Sequence, residues 1–77
     1  MTFIEVHHVQ VGLPPRVYKT MVNVNNIICY YPELDKIKIG DFNTCSVIET
    51  LGENIVCTET YNDIKKLIAR AEYDSNK

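Results

Sequence analysis

Tryptophan is absent from this sequence, and no apolar run approaches the ~18–20 residues that cross a bilayer. No membrane-spanning helix is therefore expected. Residues 1–11 lack a basic segment and carry Glu5, His7 and His8, which is not the pattern of a secretory leader. The expected location is cytoplasmic. Cysteine is scarce and unpaired: Cys29, Cys45 and Cys57 are odd in number and far apart. They lack the close pairs of a structural zinc site. In a reducing compartment they pack as small apolar residues with free thiols. The three glycines stand singly, so no phosphate-cradling loop is present. Arginine occurs only at Arg16 and Arg70, and the net charge is −2. Phosphate contacts need a basic face, so composition makes no case for nucleic acid. Isoleucine, asparagine, lysine and tyrosine are plentiful beside that scarce arginine, a usage common in AT-rich genomes such as those of low-GC bacteria and their phages.

What is present is an ordinary globular balance, 45% hydrophobic and 23% charged, over 77 residues. That length makes one small domain, burying only ~60–65% of its unfolded surface. A core so thin commonly leans on a partner subunit.

Residues 2–11 read as a strand whose alternation changes phase. Ile4 and Val6 share one face, Val9 and Val11 the other, and a bulge near His7 and His8 would reconcile them. Residues 12–18 contain Gly12, Pro14 and Pro15 and read as a loop. A second strand follows at 19–24, then a bend at Asn25 and Asn26. Residues 27–31 form a short apolar strand ended by Pro32. Residues 33–43 are charged and loop-like, although Ile37 and Ile39 alternate as an edge strand would. Residues 44–51 and 55–60 flank Leu51-Gly52-Glu53-Asn54, a hairpin pattern. From Tyr61 onward, Ile64, Leu67, Ile68 and Ala71 recur at helical spacing, with Lys65, Lys66 and Arg70 on the wet face. Thr60 is the natural N-cap, and Asp63 completes a capping box. Residues 73–77 read as a frayed polar tail. The expected fold is α+β: a small twisted antiparallel sheet of four or five strands with one C-terminal helix, in a single domain over 1–77.

Three segments carry a family resemblance. They are Val22-Asn23-Val24-Asn25-Asn26-Ile27, Val47-Ile48-Glu49-Thr50-Leu51-Gly52, and the run from Glu53 to Thr60 that enters the helix. Over roughly residues 21–67 the chain resembles FlbD-like proteins of flagellar operons, with longer segments at 12–18 and 34–43. The resemblance implies a small sheet with one helix and a non-enzymatic adaptor role.

No residue pattern selects a catalytic site. Neighbouring strand residues point to opposite faces, so His7 and His8 do not readily share a metal. Ser46 and Cys45 lie in a predicted strand with no base placed beside them. Glu49 and Glu59 are predicted to face each other across the hairpin, as exposed strand carboxylates. No cofactor is expected, and the chain reads as no enzyme.

Binding residues are easier to nominate. Tyr30 and Tyr31 precede Pro32, and exposed tyrosine suits protein interfaces. Glu33 and Asp35 supply a polar rim, and the Pro14-Pro15-Arg16 loop offers a preformed extended segment. These residues are the candidate contacts of a regulator that binds a larger bacterial protein; size and composition alone suggest its narrowest form, a phage- or mobile-element-encoded inhibitor of a defence or regulatory protein. The alternative is a sequestering protein for a small ligand or nucleotide, with Arg16, Lys19, Lys36 and Lys38 as cationic groups between subunits. Exposed sheet edges and a thin core predict a homo-oligomer.

Overall fold

The computed structural model describes residues 2–10, 12–33, 38–39 and 42–75. Alternating β-formers build the first ribbon. Strand β1 (Phe3–Gln10) pairs antiparallel with β2 (Arg16–Asn23), from Phe3 opposite Asn23 to Gln10 opposite Arg16, with no break in register. The bulge expected at His7 and His8 is therefore absent. Ile4 and Val6 are buried on one face of β1, and Val9 is buried on the other. Burial on both faces produces the change of phase. His8 is opposite Cys57 and Cys57 is opposite Ser46. In that row Ser46, Val47 and Ile48 are consecutive buried residues, so the sheet is covered on both sides.

The β2 strand begins at Arg16 and so takes in the last three residues of the segment expected to be loop. A single turn of 3-10 helix, Val24–Asn26, bends the chain where the paired asparagines predict. The Asn23 side chain caps it by accepting from the Asn25 N–H at 3.0 Å. Strand β3 (Ile27–Pro32) then pairs with β6 (Ser46–Thr50), and β6 with β7 (Asn54–Cys57). A register shift between Ile27 and Cys29 makes Ile28 the extra residue, so the bulge of this sheet lies in β3. Pro32 continues β3 opposite Ser46. It can do so because β3 is an edge strand, where a missing N–H costs no ladder bond.

The five-stranded sheet has the order β2-β1-β7-β6-β3. A separate two-residue ladder joins β4 (Lys38–Ile39) to β5 (Phe42–Asn43), so Ile39 does enter a strand. Ile37 lies outside the described residues. Thr50 ties the β6–β7 turn: its Oγ1 donates to the Glu53 carbonyl at 2.7 Å and accepts from the Glu53 N–H at 3.1 Å.

Helix α1 (Tyr61–Ser75) closes the core. Its N-terminus is a reciprocal capping box. Thr60 Oγ1 accepts from the Asp63 N–H at 3.1 Å, and Asp63 Oδ2 accepts from the Thr60 N–H at 3.2 Å. These bonds hold the Asp63 carboxyl below its ordinary pKa. The helix extends past Ala71 into the expected tail because residues 72–75 include neither glycine nor proline. Ile64 is fully buried among Ile4, Val6, Ile48 and Ile55, with Leu67, Ile68 and Ala71 packed around them. The helix runs back along β1, with Asp63 and Lys66 beside His7 and with Ala71 and Asp74 beside Thr2 and Phe3. This is a five-stranded antiparallel sheet with one C-terminal helix, a small α+β fold. Among the described residues no helix is long and apolar enough to cross a membrane.

Candidate functional site

The residues nominated for partner contact fall on two opposite edges of the sheet. Tyr30 and Tyr31 are neighbours on β3 and point to opposite faces. Tyr30 faces the core, packs against it and meets the Tyr61 ring at a centroid distance of 5.2 Å. Its role is to anchor the start of α1. Tyr31 faces outward at 40% exposure. It shares its side of β3 with Cys29 and Glu33, and Glu49 is opposite Cys29 on β6. Partial desolvation, then the negative charge of Glu49, Cys29 and Glu33, raises the Tyr31 phenol above its ordinary pKa. Ile28, the bulge residue, is 64% exposed a little further along the same edge. The free side of β3 thus presents two large apolar groups beside carboxylates. Asp35 lies outside the described residues.

Pro15 and Arg16 sit where the β1–β2 ribbon turns, on the edge strand farthest from β3. They form no common patch with Tyr31. Arg16 and Lys19 are three residues apart on β2 and face opposite sides of the sheet, so the strand does not bring them together. Lys38 pairs through its backbone with Asn43, and Lys36 lies outside the described residues.

A second arrangement, with no counterpart in the sequence reading, lies between β1 and α1. His7 is exposed and His8 half-buried. The His7 N–H donates to Glu59 Oε1 at 2.8 Å, and His7 Nδ1 meets Glu59 Oε2 at 2.7 Å. The His7 carbonyl accepts from the Thr58 N–H at 3.1 Å. Glu59 therefore occupies the place of a strand neighbour just where β7 has ended. Glu49, the carboxylate expected to face it, instead accepts from Cys29 Sγ at 2.8 Å, because Glu49 is opposite Asn54 and Glu59 lies beyond the strand.

Alongside this lock run two adjoining cavities of about 450 Å³ and 480 Å³ that share Glu5, Leu67 and Arg70. Phe3 and Met21 line the first, His7, Asp63 and Lys66 the second. Only the helical stripe hinted at this channel. Its strand wall depends on where α1 lies, which is a tertiary fact.

Two of the thiols, Cys29 and Cys57, have a raised pKa and so little thiolate. Burial, then the charge of Glu59, pushes Cys57 up to about 12. The hydrogen bond to Glu49 raises exposed Cys29 as well. Among the described residues no cluster of three histidine, cysteine or carboxylate groups is placed to hold a metal. No family, no curated protein and no solved structure matches this chain.

Proposed function

We propose that this chain is a non-enzymatic protein-binding regulator that engages a larger bacterial protein. The supporting observation is the edge of β3, free among the described residues, where Ile28 and Tyr31 stand exposed beside Glu33 and Glu49. An unpaired strand with exposed apolar groups is a template for another chain. Native edges are commonly blunted, and here the bulge at Ile28 and the proline at Pro32 restrict which partner can pair. The carboxylates favour a partner with basic residues around an apolar recess. The adaptor role implied by the FlbD-like resemblance agrees with this reading. Its narrower form, a phage- or mobile-element-encoded inhibitor of a bacterial defence or regulatory protein, draws on size and composition. The same free edges favour self-association into a homo-oligomer.

The test is size-exclusion chromatography with light scattering, on the purified chain and after incubation with a bacterial lysate. A shift into a stoichiometric complex with one larger protein supports the reading. That complex should weaken roughly 10-fold or more in Tyr31→Ala if the tyrosine is a central contact. A chain that takes up no protein counts against it.

A further inference from the structure

The channel between β1 and α1 has the features of a strand-binding groove. Alternate residues of an antiparallel strand turn their N–H and C=O to opposite sides. Both main-chain groups of His7 face away from β2, toward Glu59 and Thr58. Those of Phe3 and Glu5 face the same way, since they lie two and four residues back in an unbroken register. Alongside Phe3 and Glu5 no strand lies among the described residues, because β7 ends at Cys57, opposite His8, and the chain turns into the helix. Among the described residues, no hydrogen bond reaches Phe3 or Glu5 from that side. Glu5 is exposed and Phe3 is 43% exposed, so this is an open edge.

The helix forms the opposite wall. From Asp63 to Asp74 it spans ~16 Å, the length of about five extended residues. The apolar part of the lining includes Phe3, Met21 and Leu67 beside Ile4 and Ala71, with Met21 at 61% exposure. The charges are unevenly committed. Both oxygens of Glu59 are taken by His7, and Asp63 serves the Thr60 cap. Lys66 and Arg70, on successive turns of one helix face, form no ion pair among the described residues, and neither do the lining carboxylates Glu5 and Asp74, while the charge of Lys66 helps to lower the Asp63 pKa.

We propose that this channel takes an extended segment of a partner protein as an added strand. The segment bonds to the free main-chain groups of Phe3 and Glu5. It places an apolar side chain against Met21 and Leu67, and an acidic one toward Lys66 and Arg70. The proposal rests on the reading of the chain as a protein-binding module and assigns that module a second, separate surface.

The full chain is screened against a displayed library of random nine-residue peptides, and the enriched peptides are measured on three variants. Glu5→Pro removes the donor that faces the channel while leaving the β2 ladder intact. Arg70→Glu reverses an exposed charge. Tyr31→Ala disturbs only the β3 edge. The expected result is a set of peptides with an apolar and an acidic residue in alternating register. Their affinity falls roughly 3- to 10-fold in Glu5→Pro and in Arg70→Glu, and is unchanged in Tyr31→Ala. Peptides that bind all three variants like wild type, or a library that enriches none, overturn the proposal. So does a dimer of the chain alone that Glu5→Pro dissolves, since the occupant is then a second copy. A lysate complex that survives Glu5→Pro and Arg70→Glu but is lost in Tyr31→Ala overturns the channel while sustaining the protein-binding reading.

Discussion

His7 and Glu59 are joined at two points, main chain and imidazole, across 52 positions of sequence. This one carboxylate fastens the start of the helix to the first strand. Glu59→Ala should cost about 1–2 kcal/mol, below the usual value for bonds to a charged acceptor because the His7 side chain is 46% exposed. Glu59→Gln should cost less, since an amide can still accept from the His7 N–H. Urea unfolding checks the order, and amide exchange at His7 should quicken in Glu59→Ala. Equal stability of all three proteins would show that the lock is ornamental.

The helix cap sets an acid dependence. The Asp63 pKa is lowered chiefly by the Thr60 N–H, so its share of stability is present above the ordinary carboxylate pKa. That share is lost as pH falls through the lower folded value. Asp63→Asn should flatten the acid limb of the stability profile below pH ~4. Thr60→Ala should cost about 1 kcal/mol at neutral pH. Thermal melts between pH 2 and 7 test both, and an unaltered acid limb in Asp63→Asn would contradict the assignment.

The thiols should separate by reactivity. Cys29 is exposed, but its bond to Glu49 raises its pKa, so alkylation near pH 8 should be slow for a surface thiol. Glu49→Gln should speed it. Cys57 should react only on unfolding. It ionises near 9.0 when unfolded and near 12 when folded, so it contributes a loss of stability as pH rises from about 9. Mass-spectrometric labelling at several pH values checks each cysteine. Rapid native labelling of Cys57 would contradict its burial.

Ser46 is fully buried, and its hydroxyl has no hydrogen-bond partner among the described residues. A buried polar group left unpaired costs free energy. Ser46→Ala should therefore be neutral or stabilising, by up to about 1 kcal/mol. A clear loss of stability in urea would mean that the hydroxyl is satisfied in solution.

The helix, its cap and the β6–β7 hairpin were legible because each rests on residues within a few positions of one another. Ile64, Leu67, Ile68 and Ala71 repeat at the helical period, and Thr60 and Asp63 are a local pair. The β1 strand was harder to read. Val9 against Ile4 and Val6 signals a change of face, but one strand cannot distinguish an inserted residue from burial on both sides. The true bulge at Ile28 left no trace, since Ile27 and Ile28 look alike as strand formers. Tyr30 and Tyr31 were equivalent in sequence, and pairing with β6 turned one inward. The lock and the channel needed β1 and α1 in register, a relation no short window contains.

During synthesis the chain emerges in order, and the β1–β2 ribbon is complete by Asn23. The residue that closes its edge at His7 arrives 52 positions after that histidine. At ribosomal speeds of 5–20 residues per second the stretch from Asn23 to Glu59 takes roughly 2–7 s, long beside hairpin formation in microseconds. For that interval the nascent ribbon is a folded piece with both flanks bare. Its protection from wrong pairing then falls to whatever shields the emerging chain, and slowing translation after Asn23 should lengthen the exposure without altering the finished fold.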